Sequence, residues 1–224
     1  MFDDLRLSDL PLRQLAILRA PTSTRPAISL ISEGNQRAIV KDYSANKFVF
    51  RNMVGRFLVW REAKAYRRLK DINGVPALYR VIDGLALLLE AIPGKDLETL
   101  QGEKKLDNTF FHALKELVDR CHRRGVAHCD LKRAPNTILG EDGRPYIVDW
   151  SAAICATEFR FFPLTRIYER FLRDDYLAIV KLRLNYSPES VTNDEKRAYY
   201  HHGRAEKAVR KARDRLRELL QKLA

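Results

Sequence analysis

Two spacings of apolar residues run along this chain, and the change from one to the other marks its elements. AISLIS at 27–32 and RAIVKDY at 37–43 are apolar and β-branched runs on either side of EGNQ, which predicts a hairpin. From Asn46 to Lys70 the spacing lengthens to that of a helix, and Gly55, Leu58, Val59, Glu62, Tyr66 and Leu69 fall on one face. ALYRVI at 77–82 and LALLLEAI at 85–92 flank Asp83-Gly84, a strong turn signal, so a second hairpin is predicted there, with Pro93-Gly94 as the linker that follows. Phe110, Phe111, Leu114, Leu117, Val118 and Cys121 then recur at helical spacing, and Arg123-Arg124-Gly125 is a helix stop with cations near the negative end of the dipole. TIL at 137–139, the turn GEDG and PYIVD at 145–149 predict a third hairpin. LAIVKLRL at 177–184 predicts a helix, and residues 194–224 predict an amphipathic one, apolar at Ala205, Ala208, Val209, Ala212, Leu216, Leu219, Leu220 and Leu223. Residues 1–26, with Pro11, Pro21 and Pro26, predict an irregular or partly stranded lead-in.

Composition narrows the class. A chain of 224 residues that is 46% apolar can bury a sizeable core, as one domain of two lobes or as two small domains, and disorder over most of it is excluded. The net charge of +12 points to an acidic partner: nucleic acid, an anionic membrane surface or a phosphorylated ligand. The longest apolar run is far too short to span a bilayer. Cys121, Cys129 and Cys155 have no disulfide-like spacing and no secretory leader precedes them, so they read as reduced thiols in a cytoplasm.

Some residues need partners that only chemistry explains. Glu62 points the way of an apolar stripe and requires a cation; Lys41, set in the apolar AIV, requires an anion; the two are expected to meet. VAHCDLKRAPNTIL at 126–139 gathers a histidine, an aspartate, a lysine and an asparagine just after a buried helix. Folding the third hairpin brings Asn136 beside the Ile147–Asp149 end, so Asp130, Asn136 and Asp149 converge as oxygen ligands suited to a hard divalent cation. Cys121-His122 and His128-Cys129 read poorly as a zinc set, because a helix end and a crowded loop carry them, and no zinc is expected. KFVFRNMVGRFLVWR at 47–61 is cationic, aromatic and apolar: it either rests on an anionic membrane surface or, the commoner case, packs on the small lobe with solvated arginines. The basic tail either holds RNA or covers the large lobe, and packing is the preferred reading.

The order of hairpin lysine, helix glutamate, second hairpin with a Pro-Gly linker, helix, H-x-D-L-K loop with asparagine, and hairpin ending in aspartate resembles the protein-kinase fold over residues 27–155. The compact outline looks most like the atypical bacterial kinases related to RIO kinases and to the lipopolysaccharide core sugar kinases. The resemblance implies an α+β fold of two lobes, a small antiparallel-sheet lobe over 1–92 and a mainly helical large lobe over 93–224, without a long activation segment. It implies ATP and Mg2+ as cofactors. Lys41 resembles the lysine that holds the α and β phosphates, and Glu62 its helix partner. Glu90, Ala91 and Ile92 match the linker that meets adenine through backbone groups. Asp130 matches the base that takes the proton of the attacking hydroxyl, Lys132 a lysine that steadies the transferring phosphoryl group, and Asn136 and Asp149 the magnesium ligands, while His128 orients the loop.

The chain departs from the pattern in four places. No G-x-G-x-x-G precedes Lys41, so the phosphate-covering loop is either replaced by Ser29 to Asn35 or missing. Asn136 lies six positions after Asp130 in place of five, which requires a bulge near Pro135; Trp150-Ser151 stand for Phe-Gly; and no A-P-E follows. The implied function is ATP-dependent transfer of a γ-phosphoryl group to a hydroxyl by a RIO-like serine/threonine protein kinase. The alternatives are a lipopolysaccharide core sugar kinase held peripherally at the inner membrane, a pseudokinase that binds nucleotide without turnover, and a nucleic-acid-binding protein.

Overall fold

The computed structural model describes residues 2, 4–101 and 106–200. Its described residues divide into two compact units, one made of residues up to Ala63 with Ala77–Ala91, the other of Lys64–Pro76 with residues 92–200.

The first unit opens with α1 (Leu10–Arg13), β1 (Gln14–Arg19), β2 (Ala27–Glu33) and β3 (Gln36–Asp42), and β4 (Leu78–Ile82) and β5 (Ala86–Glu90) complete an antiparallel sheet in the order β1-β2-β3-β5-β4. Both hairpins stand where the sequence predicts them. Between β4 and β5 the Leu85 amide donates to Ile82 O at 2.9 Å while Asp83 and Gly84 take φ of 50° and 67°, the doubly left-handed turn that matches the twist of paired strands. β3 lies between β2 and β5, with Lys41 opposite Ile28 on one side and Leu87 on the other. The lead-in is more than irregular. It contributes an edge strand, and its Phe2, Leu5 and Leu10 are buried against Ile31, Ala38, Val40, Ile82, Ala86 and Leu88. These three apolar residues follow no single period, so the pattern alone does not assign them to a core.

The helix predicted from Asn46 begins at Phe48 and is not uniform: α2 (Phe48–Phe50) passes through a π-turn at Arg51–Gly55 into α3 (Arg56–Arg68). The Arg56 amide reaches back to Arg51 O, a five-residue step. Within this turn Gly55 faces Tyr43 so closely that an added Cβ would stand 3.2 Å from the tyrosine Cβ.

The second unit carries β6 (Gly94–Asp96), α4 (Asn108–Arg123), β7 (Val126–Ala127), β8 (Thr137–Gly140), β9 (Pro145–Ile147), β10 (Ile154–Cys155), α5 (Leu164–Tyr186) and α6 (Asn193–Tyr200). β6-β8-β9 form one small antiparallel sheet and β7-β10 another. Asp107 caps α4 by accepting from the Phe110 amide at 3.0 Å, and Gly125, at φ 73°, ends it. All six apolar residues predicted on its face are buried. The segment after Asp149 is short: a 3-10 turn, β10 and a second turn lead into α5 at Leu164. α5 takes in the predicted 177–184 helix, whereas the predicted tail helix beyond Tyr200 lies outside the described residues.

Leu114 is fully buried in α4 and Leu12 is 89% exposed. Leu114→Ala is expected to lower unfolding free energy by about 2–5 kcal/mol, and Leu12→Ala to change it by less than about 0.5 kcal/mol, in chemical denaturation.

Candidate active site

The side chains with chemistry fall into two groups, one in each unit. In the first, Lys41 Nζ stands 2.6 Å from Glu62 Oε1, and both residues are buried, at 6% and 1% exposure. The pairing read from the sequence is therefore real. β3 sends Lys41 inward between two apolar neighbours, and the helix turns Glu62 to the same interior beside Val59, so neither charge is stable there without the other.

Next to this pair is a feature the sequence does not disclose. The connection between β1 and β2 contains Thr22, Ser23, Thr24 and Arg25 between Pro21 and Pro26, and no glycine. Buried Asn46 fastens it, its Nδ2 donating to Thr22 O at 2.6 Å and to Ser23 O and Arg25 O at 3.2 Å. The register sets this loop at the Lys41 end of the sheet, since Ile28, two residues past Pro26, lies opposite Lys41. Ser29–Glu33, expected to replace the glycine-rich loop, are instead strand residues, and Gly34-Asn35 only turn β2 into β3. Glu90 also fastens the end of its hairpin. Its amide donates to Ala77 O at 2.8 Å and its carboxylate accepts from the Ala77 amide at 3.0 Å, so it closes the β4–β5 end. Ala91 and Ile92 lie beyond the last ladder pair, Ala38 with Glu90.

In the second unit the loop after β7 is held from three sides. The Asp130 amide donates to His128 Nδ1 at 3.2 Å, and His128 Nε2 lies 3.0 Å from Val148 O. Both contacts suit one tautomer with the proton on Nε2. The His128 ring also meets buried Trp150 edge to face at 4.7 Å, and Trp150 Nε1 donates to Ile147 O at 3.2 Å, so the tryptophan that stands for Phe packs under the loop. Cys129 takes φ 66°, an uncommon conformation for a residue with a side chain. What holds it is Asp175 of α5, 2% exposed, whose carboxylate accepts from the His128 amide at 2.7 Å and the Cys129 amide at 2.9 Å and lies 3.0 Å from His122 Nε2. Asp175 was missed at the sequence level, although Ala178, Ile179, Leu182 and Tyr186 share its buried face just as apolar residues surround Glu62. These contacts engage both ring nitrogens of His128 and Nε2 of His122.

The extra residue between Asp130 and Asn136 is absorbed by a 3-10 turn at Ala134–Asn136. Asn136 Nδ2 donates to Asp130 O at 2.9 Å, and the Val148 amide donates to Asn136 O at 3.0 Å, which draws Asp130, Asn136 and the start of the Asp149 turn together. With its amide nitrogen engaged, Asn136 has its side-chain oxygen as the remaining donor atom for a metal. Asp149, at φ 61°, is fixed by the Ser151 hydroxyl, which donates to its Oδ1 at 2.7 Å. These oxygens fit a hard cation such as Mg2+. Asp130 Oδ2 lies 3.5 Å from Arg133 Nη1, and half-buried Lys132, whose backbone oxygen accepts from Lys181 Nζ at 3.0 Å, makes no ion pair among the described residues.

Asp175→Ala is expected to leave two buried amides unsatisfied, at a cost of about 3–5 kcal/mol, and to speed hydrogen exchange at His128 and Cys129 more than in the middle of α4. Lys41→Met and Glu62→Leu should each destabilise by about 3 kcal/mol, while the double variant recovers most of the loss in a thermodynamic cycle.

A model of the RIO domain matches residues 32–166. The 3-deoxy-D-manno-octulosonic acid kinases of Xanthomonas euvesicatoria pv. vesicatoria (strain 85-10) and Xanthomonas axonopodis pv. citri (strain 306) are each 32% identical to the chain over 89 residues, 40% of this chain and 33% of theirs. The matched stretch thus spans about a third of those relatives. The family match covers more than half of the chain, from β2 through the loop, the metal-ligand candidates and the start of α5. By that match, carried on a kinase-like α+β frame, the chain belongs to the RIO domain family.

Proposed function

We propose that this chain is an ATP-dependent phosphotransferase that moves the γ-phosphoryl group to a hydroxyl. The observation that carries the reading is the buried Lys41–Glu62 pair at 2.6 Å. An apolar pair of similar volume would serve the fold as well or better, so a buried ammonium kept in place by a carboxylate is better explained as a held phosphate ligand than as a brace.

In this reading Lys41 binds the α and β phosphates and Glu62 aims it. Glu90, Ala91 and Ile92 meet the adenine through backbone groups. Asn136 and Asp149 hold Mg2+, which supplies neutralisation of phosphate charge. The Asp130 carboxylate accepts the proton of the attacking hydroxyl and orients its oxygen toward phosphorus, and the Lys132 ammonium steadies the oxygens of the group in transit. Phosphoryl transfer asks for positioning and charge more than for covalent help, and these residue types supply both.

Two acceptors have support. The RIO match runs over residues 32–166 and favours a protein serine or threonine. The Xanthomonas kinases, matched over a shorter stretch, favour a sugar hydroxyl of a glycolipid. We take the first as the leading reading because its match is longer. Labelled ATP incubated with the full chain and fractionated extract decides between them: label in protein supports it, and label in glycolipid moves the assignment to the sugar.

Asp130→Asn is expected to lower transfer by about 10²–10⁴-fold with nucleotide affinity nearly kept, and chelation of divalent cations to abolish transfer until Mg2+ is restored. Nucleotide binding without transfer by the unaltered chain would replace the enzyme with a pseudokinase, a reading favoured by the glycine-free β1–β2 connection.

A further inference from the structure

A surface helix of a soluble protein normally turns its polar side to water. The helix from Phe48 to Arg68 does not. Phe48, Val49, Met53, Phe57 and Trp60 are 70%, 61%, 71%, 50% and 54% exposed, and the Phe57 and Trp60 rings lie 5.9 Å apart. The π-turn explains how they line up. A step closed over five residues brings Met53 beneath Phe48, and the α-helix then carries the row on to Phe57 and Trp60. Meanwhile Gly55, Val59 and Glu62 turn inward, so the exposed row is not a core face left bare by a slip of register.

The charges that the helix itself sets beside this row are of one sign. From 43 to 61 the ionisable acids and bases of the helix segment are Lys47, Arg51, Arg56 and Arg61, with no carboxylate, and the next acid, Glu62, is buried on Lys41. Arg51 extends across the Phe48 ring, 5.4 Å from its centre, while Arg56 Nη1 donates to Asp83 O at 2.6 Å, which keeps both cations at the border of the apolar row. Aromatic and thioether side chains flanked by guanidinium groups suit the boundary of a bilayer, where rings sit among headgroups and cations meet phosphate. An apolar patch this continuous is uncommon on a free surface. The four cations that the helix itself sets beside the row, against the single carboxylate of neighbouring Asp83, also disfavour a second copy of the same face, which would set like charges together.

We infer that this helix is an interfacial docking face for an anionic phospholipid bilayer, entered by Phe48, Met53, Phe57 and Trp60 and held by Lys47, Arg51, Arg56 and Arg61. The inference does not depend on the phosphotransfer reading. No helix among the described residues is long and apolar enough to cross a membrane, so this contact lies along the surface.

Vesicles of phosphatidylcholine alone and of phosphatidylcholine with phosphatidylglycerol, incubated with the full chain, test it. Trp60 is half exposed and Trp150 is 1% exposed, so a blue shift of emission on anionic vesicles reports the helix and disappears in Trp60→Phe while co-sedimentation remains. Partitioning should fall on the order of tenfold between about 0.1 M and about 0.5 M salt. Met53→Ser with Phe57→Ser should abolish sedimentation with no change in thermal midpoint, and Asp130→Asn should sediment like the unaltered chain, which separates this outcome from a failure of transfer activity. No binding to anionic vesicles, equal binding to neutral ones, or binding unaltered in the double serine variant overturns the inference; so does lipid-independent self-association that the double variant removes.

Discussion

A carboxylate on the apolar side of a helix has to be matched inside the protein, and Glu62 and Asp175 both meet that condition. Glu62 receives the Lys41 ammonium at 2.6 Å. Asp175 receives the backbone amides of His128 and Cys129 and faces His122. The costs are similar, since either acid without its donors would be a desolvated charge. The results differ: one fixes a cation, and the other fixes a loop in a conformation that Cys129 would not hold alone.

From the second of these anchors the catalytic-loop region follows by short links. The Asp175-held loop presents Asp130, the His128 ring ties it to Val148, and Asn136 ties it to itself through Asp130 O. Asp149 then leaves β9 one residue beyond Val148 with a left-handed backbone. Two small antiparallel sheets and α5 are enough to hold this geometry, which accounts for a large unit with so short a segment between Asp149 and Leu164.

The legible parts of the molecule were those in which one period or one dipeptide dominates. The α4 face, the Asp83-Gly84 turn and the Lys41–Glu62 pair are of this kind, because a single spacing fixed each residue's direction. The π-turn was hidden because an inserted residue breaks the helical count without any compositional sign. Asn46 looked like an ordinary polar residue at a helix start; its role lies in three carbonyls some twenty residues away in sequence, which no local pattern encodes. Asp175 was ambiguous because Asp174 adjoins it, and only packing tells which of two neighbouring acids points inward. The β1–β2 connection lies one strand before Ser29–Asn35, and it stays hidden because β1 shows no inward-facing apolar pattern.

The central claim is that the buried Lys41 ammonium is held as a ligand for the phosphates of ATP. An ATP analogue carrying a lysine-reactive acyl phosphate, followed by peptide mapping, tests this most directly. The account predicts modification of Lys41 and its protection by ATP with Mg2+. Labelling of Lys41 that is indifferent to ATP, or none at all, would contradict it.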